Sequence, residues 1–109
     1  MPTLIEQFRA FLAKTKINLP KLYQTETEKD PVAYVKFFTP DSSWSWWVLE
    51  WDGEDTFFGL VKGLDTELGY FSLSEIDAVH GPLGICIEVD LYFTPTPLSK
   101  LQSAEEENE

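Results

Sequence analysis

Trp44-Ser45-Trp46-Trp47-Val48-Leu49-Glu50-Trp51-Asp52-Gly53-Glu54-Asp55-Thr56-Phe57-Phe58-Gly59-Leu60-Val61 is the stretch that decides the fold. Its first half is apolar on both alternating faces, with Trp44, Trp46 and Val48 pointing one way and Trp47, Leu49 and Trp51 the other. A strand lined on both sides belongs in the middle of a sheet. Asp52-Gly53 is a hairpin signal, because glycine accepts the positive φ that such turns require, and Thr56 to Val61 returns as an antiparallel neighbour.

Outward from this hairpin, Val32 to Phe38 is β-branched and aromatic, which suits a pleated surface, and Thr39-Pro40-Asp41-Ser42-Ser43 closes it as a turn. On the other side, Gly63 to Glu67 makes a turn and Leu68-Gly69-Tyr70-Phe71 a short strand. Ser72-x-x-Glu75 then forms a capping box for a short helix that Gly81-Pro82 stops after His80. Glu88 to Phe93 alternates as a half-exposed strand, Val89, Leu91 and Phe93 inward and Glu88, Asp90 and Tyr92 outward. At the start, Thr3-x-x-Glu6 forms another capping box, and Leu4, Phe8, Phe11 and Leu12 follow helical spacing over about 4–15. Lys21 to Pro31 is polar and reads as a loop. These elements predict an α+β fold: a small antiparallel meander of about five strands with an N-terminal helix and one short helix before the last strand. Residues 1–101 form one domain in this reading, and 102–109 a disordered acidic tail after Pro95 and Pro97 end regular structure.

A chain of 109 residues with 43% hydrophobic and 15% aromatic content has enough apolar surface for one core. The lone Cys86 has no partner for an internal disulfide, and in Gly84-Ile85-Cys86-Ile87 it reads as a small apolar filler in a reducing compartment. The first residues lack the basic patch and apolar run of a signal peptide, and no apolar stretch approaches the roughly 20 residues that span a bilayer. A cytoplasmic protein without membrane attachment is expected. The formal charge of −11 opposes binding to phosphate backbones, so nucleic acid is a poor partner. Charge is also lopsided: residues 1–38 hold six bases and four acids, whereas residues 39–109 hold only Lys62 and Lys100 against fifteen acids. Whatever meets the second part should therefore be basic or should approach through the first part.

No catalytic constellation emerges. His80 and Cys86 are separated by a Gly-Pro break, and Ile85 and Ile87 would raise the thiol pKa. Asp52-Gly53-Glu54-Asp55 lacks the ligand spacing of an EF-hand, and zinc usually needs four protein ligands, so no metal is expected. Glycines do not precede a helix in any phosphate-cradling pattern, and no cofactor is expected. The tryptophans of Trp44 to Trp51 could stack single-stranded bases, but flanking Asp41, Glu50, Asp52, Glu54 and Asp55 oppose that, and core filling explains them.

Leu19-Pro20-Lys21-Leu22-Tyr23, Val35-Lys36-Phe37-Phe38-Thr39-Pro40, Trp44-Ser45-Trp46, Phe57-Phe58-Gly59-Leu60-Val61, Glu67 to Glu75 and Asp90-Leu91-Tyr92-Phe93 together resemble the bacterial domain-of-unknown-function family 2958 (DUF2958), over about residues 19–101. The resemblance carries no catalytic or ligand-binding residues across. It implies a context of plasmids, phages and other mobile elements. The leading expectation is a non-enzymatic interaction module that docks a basic protein, in the sharper version by mimicking nucleic acid. Its candidate surface is Trp44, Trp46, Glu50, Asp52, Glu54, Asp55, Tyr70 and Glu75. The rival is a small enzyme or ligand-binding domain with a cleft beside Trp44, Trp46 and Tyr70 and a carboxylate base at Glu50 or Glu75. A third reading is single-stranded nucleic-acid binding. The exposed edge of 88–93 offers a means of pairing two copies.

Overall fold

The computed structural model describes residues 3–79 and 82–107. Helix α1 spans Leu4–Thr15, where the sequence predicts it. Thr3 caps it, its hydroxyl oxygen accepting the Glu6 N–H at 3.2 Å, and Lys16 ends it in the left-handed region with its N–H on the Leu12 carbonyl. Strands β1 (Val32–Ala33), β2 (Val35–Phe38), β3 (Ser45–Trp51), β4 (Thr56–Lys62) and β5 (Thr66–Ser72) follow, then α2 (Leu73–Asp77), β6 (Glu88–Val89), β7 (Thr96–Pro97) and α3 (Leu98–Glu107). The main sheet has the order β5-β4-β3-β2-β6 and is antiparallel throughout. The α+β meander is thus present, with β3 at its centre as its two-sided apolar pattern requires.

Each face of the sheet carries its own core. On the first, α1 and α2 lay Phe8, Phe11, Leu73 and Ile76 against Phe37, Trp46, Val48, Phe57 and Phe71. Phe8 is the hub, with its ring centroid 5.0 Å from that of Trp51 and 5.4 Å from that of Phe57, both edge-on. On the second face, Ala33, Trp47, Leu49, Leu60 and Leu98 are buried together, with Phe58, Phe93 and Leu101 against them.

Strict alternation along β3 fails at one point. The register against β4 slips between Val48 and Glu50, leaving Leu49 as the extra residue of a β-bulge. Glu50 therefore pairs with Phe58, and Trp51 pairs with Phe57 and joins the α1 face. The expectation that Trp51 shares a face with Trp47 and Leu49 is corrected accordingly. Gly59 permits the bulge: a Cβ there would lie 1.8 Å from the Trp47 carbonyl oxygen.

The ends of the chain depart further from the sequence reading. The run from Val32 to Phe38 is divided: Val32–Ala33 pairs with β7, and Val35–Phe38 with β3 and β6. The strand expected over 88–93 stops at Val89, because the Asp90 carboxylate accepts the Tyr92 N–H and its carbonyl the Phe93 N–H, closing a turn. Leu91, expected inward, is consequently exposed, whereas Phe93 is carried onto the second core. Regular structure does not end at Pro97 either, since α3 begins at the next residue and runs through Glu107, where a disordered tail was expected from residue 102. Asp30 secures its start by accepting the Ser99 N–H at 2.9 Å and hydroxyl at 2.7 Å. Cys86 is exposed and fills no core, and His80 lies outside the described residues. No described helix is long and apolar enough to cross a membrane.

Candidate functional site

The bulge in β3 turns an acidic side chain into the protein. Glu50 is 2% exposed, on the second face beside Leu49 and Phe58. A buried carboxylate is costly unless donors surround it. Three do: Oε1 accepts the Tyr23 N–H at 2.8 Å, and Oε2 accepts the Thr25 N–H at 2.8 Å together with the Thr25 hydroxyl. All three come from the loop between α1 and β1, so the carboxylate pins that loop to the central strand.

The pinned loop presents Tyr23, whose φ of 71° is unusual for a bulky side chain. Its ring centroid lies 6.5 Å from that of Tyr70 on β5, and Tyr70 lies 5.0 Å from Phe58 on β4. Glu50, Phe58 and Tyr70 are consecutive cross-strand partners on β3, β4 and β5, which explains their alignment. A cleft of about 350 Å³ opens here, lined also by Glu26, Glu28, Lys29 and Leu68. Tyr23 is 60% exposed and Tyr70 56%. The Tyr70 hydroxyl is held above the ordinary tyrosine pKa, first by a side-chain hydrogen bond with Tyr23, then by loss of solvent, and then by the charges of Tyr23, Glu50 and Glu26.

The remaining candidate residues sit elsewhere. Trp44 and Trp46 pack together at 5.9 Å, Trp46 buried in the first core and Trp44 lying over Gly63, where it leaves no room for a Cβ. They border a separate hollow with Thr39, Ser42, Val79 and Pro82, on the opposite face of the sheet from Tyr70. Asp52, Glu54 and Asp55 lie at the tip of the β3–β4 hairpin, and Glu75 lies on α2. One Asp52 oxygen accepts the N–H groups of Glu54, Asp55 and Thr56, and these bonds, that from Glu54 foremost, hold its pKa below the ordinary carboxylate value against the opposing effect of desolvation. Asp55 accepts the N–H and hydroxyl of Ser74 at 2.9 and 2.7 Å and so fastens the first turn of α2. Glu54 and Glu75 are left exposed. Among the described residues, no three His, Cys, Asp or Glu side chains come together so as to hold a metal ion.

Glu50 and Tyr70 are thus brought together, but not with the two tryptophans. Tyr23 and Phe58 complete the cleft and were absent from the sequence-derived surface. Two signals point to them in hindsight: Leu22-Tyr23 is the apolar interruption of an otherwise polar loop, and Glu50 is the lone acid in the run from Trp44 to Trp51.

A family model described as "Protein of unknown function (DUF2958)" matches residues 4–109, taking in α1 as well as the sheet. No curated protein and no solved structure gives a match.

Proposed function

The chain belongs to the DUF2958 family, and from its surface we propose that it is a non-enzymatic interaction module that engages a basic protein partner. The observation that carries this reading is the disposition of charge. Glu54, Asp65, Glu67, Glu75 and Asp77 are exposed on the hairpin tip, the β4–β5 turn, β5 and α2, while Lys62 is the one base between residues 39 and 99. Such a one-signed surface raises the rate of encounter with a basic protein and repels acidic ones. A partner's nucleic-acid-binding face has the matching chemistry, and a mobile-element accessory protein that occupies such a face would act as a nucleic-acid mimic.

Two features support this reading over its rivals. Glu50 is enclosed and engaged by three donors, which fits an anchor better than a base. Trp46 and Trp47 are each 5% exposed, so β3 offers single-stranded bases little to stack on.

The test is affinity capture from bacterial lysate followed by titration of the purified pair. Binding should weaken as salt rises and should be reduced by the double substitution Glu54→Lys/Glu75→Lys, which leaves the structural Asp52 and Asp55 in place. A partner whose affinity ignores both salt and the charge reversal would sink the proposal.

A further inference from the structure

We propose that the cleft between Tyr23, Phe58 and Tyr70 seats an arginine side chain of the basic partner. The inference deepens the reading above and rests on it. Its basis is an arrangement that folding alone does not require. A buried carboxylate holds Tyr23 in a sparsely populated backbone conformation, yet the ring so positioned is mostly in water, as is the Tyr70 ring it faces. Strained residues of this kind persist only where the surroundings over-determine them, and they concentrate at ligand clamps. Glu50 is the clamp, and two open aromatic rings are the result.

The chemistry of the cleft selects a cation. Faces of Tyr and Phe attract positive charge through their quadrupoles, and a guanidinium stacks on them better than an ammonium because it is planar and weakly hydrated. Glu50 and Glu26 are the smallest of the influences that oppose ionisation of the Tyr70 hydroxyl, and their negative field favours a cation placed beside it. Glu28 adds to it from the rim, and Lys29, also on the rim, opposes it. A volume of about 350 Å³ accommodates one long side chain, not a folded element. An exposed cation–π contact of this type is weak alone and adds specificity to an encounter that the acidic surface drives.

Titration of the tyrosine ring NMR signals with the blocked tripeptides Gly-Arg-Gly, Gly-Lys-Gly and Gly-Gln-Gly tests this. The arginine peptide should shift the Tyr23 and Tyr70 ring signals saturably, more tightly than the lysine peptide and far more tightly than the glutamine peptide. Tyr70→Ala should weaken the arginine peptide by about threefold to tenfold, as expected for loss of a cation–π contact. Tyr70→Phe, which keeps the ring and the fold, should retain most of the binding. Lys29→Gln should tighten it, a gain that damage to the fold does not produce. Equal shifts with the glutamine peptide, or no saturable shift at either ring in the folded wild type, would overturn the inference. Low-salt binding of poly-L-lysine, with and without Glu54→Lys/Glu75→Lys, reports on the acidic surface separately. Wild-type binding of poly-L-lysine that the double substitution weakens, beside a silent cleft, would reject the arginine seat alone, whereas no wild-type binding, or binding unchanged by the substitution, would reject the broader reading as well.

Discussion

At position 50 a charge is tolerated within an apolar strand because the bulge aims it at three donors of a single loop. Its removal leaves the Tyr23 and Thr25 amides and the Thr25 hydroxyl without their acceptor, and Thr25 is itself buried. Each buried donor left unsatisfied costs about 1–3 kcal/mol, so Glu50→Ala should destabilise by roughly 3 kcal/mol or more, and Glu50→Gln, which keeps one acceptor, by less. Urea unfolding of the two variants checks the order; a Glu50→Ala protein within experimental error of wild type would mean that water replaces the carboxylate. Gly59 carries a second prediction. Its missing Cβ is what lets β3 bulge, and the atom it would strike is main chain, which no rotamer change can move. Gly59→Ala should cost about 3 kcal/mol or more. Gly69, its cross-strand partner, has open space where a Cβ would go and no left-handed φ, so Gly69→Ala should be neutral or stabilise by about 0.5 kcal/mol through the unfolded chain. Two paired glycines in adjacent strands thus have opposite expected outcomes.

At the level of elements, α2 and α3 begin in the same way. Each opens with Leu-Ser, the leucine N–H bonding a distant carbonyl (Asp55 for Leu73, Pro31 for Leu98) and the serine N–H and hydroxyl both bonding a distant aspartate. Asp55→Ala should remove about 1 kcal/mol, in the range of a lost helix cap, and combining it with Ser74→Ala should add little, because the two side chains act through one another. Asp30 is held below its ordinary pKa of 3.8, first by the Ser99 hydroxyl and then by the Ser99 N–H. Its folded-state value is depressed, so its contribution is complete above the unfolded value and disappears as pH falls through the folded one. Acidification below about pH 4 should therefore loosen α3 from Trp47, seen as a change in tryptophan emission that Asp30→Asn largely abolishes. These clamps mark the boundary of what the sequence could reveal. The meander, α1 and α2 are written in local periodicity and capping boxes, and all were legible. The clamp on α3 joins residues 69 positions apart, β7 exists only through its pairing with β1, and the bulge follows from a steric conflict between two strands. The cleft was half legible for the same reason: Glu50 and Tyr70 stood out by type, whereas Tyr23 matters only because Glu50 reaches its backbone.

The whole molecule measures 38 × 34 × 22 Å and carries a formal charge of −11. Screening length decides how that charge acts. At about 0.01 M salt the Debye length is roughly 30 Å, comparable to the molecule itself, so acids on the hairpin tip, β5 and α2 all repel one another. At about 0.15 M it is roughly 8 Å, and only near neighbours interact. Repulsion among like charges disfavours the compact state more than the expanded one. Thermal stability at neutral pH should therefore rise as salt increases over this range. Binding to a basic partner depends on the same charges with the opposite sign of effect, since screening removes attraction between the two proteins. The two slopes must consequently be opposed: melting temperature climbing with salt while affinity falls. Glu54→Lys/Glu75→Lys should flatten both, because it lowers the net repulsion and removes part of the attraction. It also places a lysine in the first turn of α2, where the helix dipole disfavours positive charge, so its high-salt stability should lie slightly below that of wild type. Melting temperature and partner affinity measured across one salt series, for both proteins, decide the matter. Slopes of the same sign would show that the exposed acids act as local solubilising charges and not as a collective field.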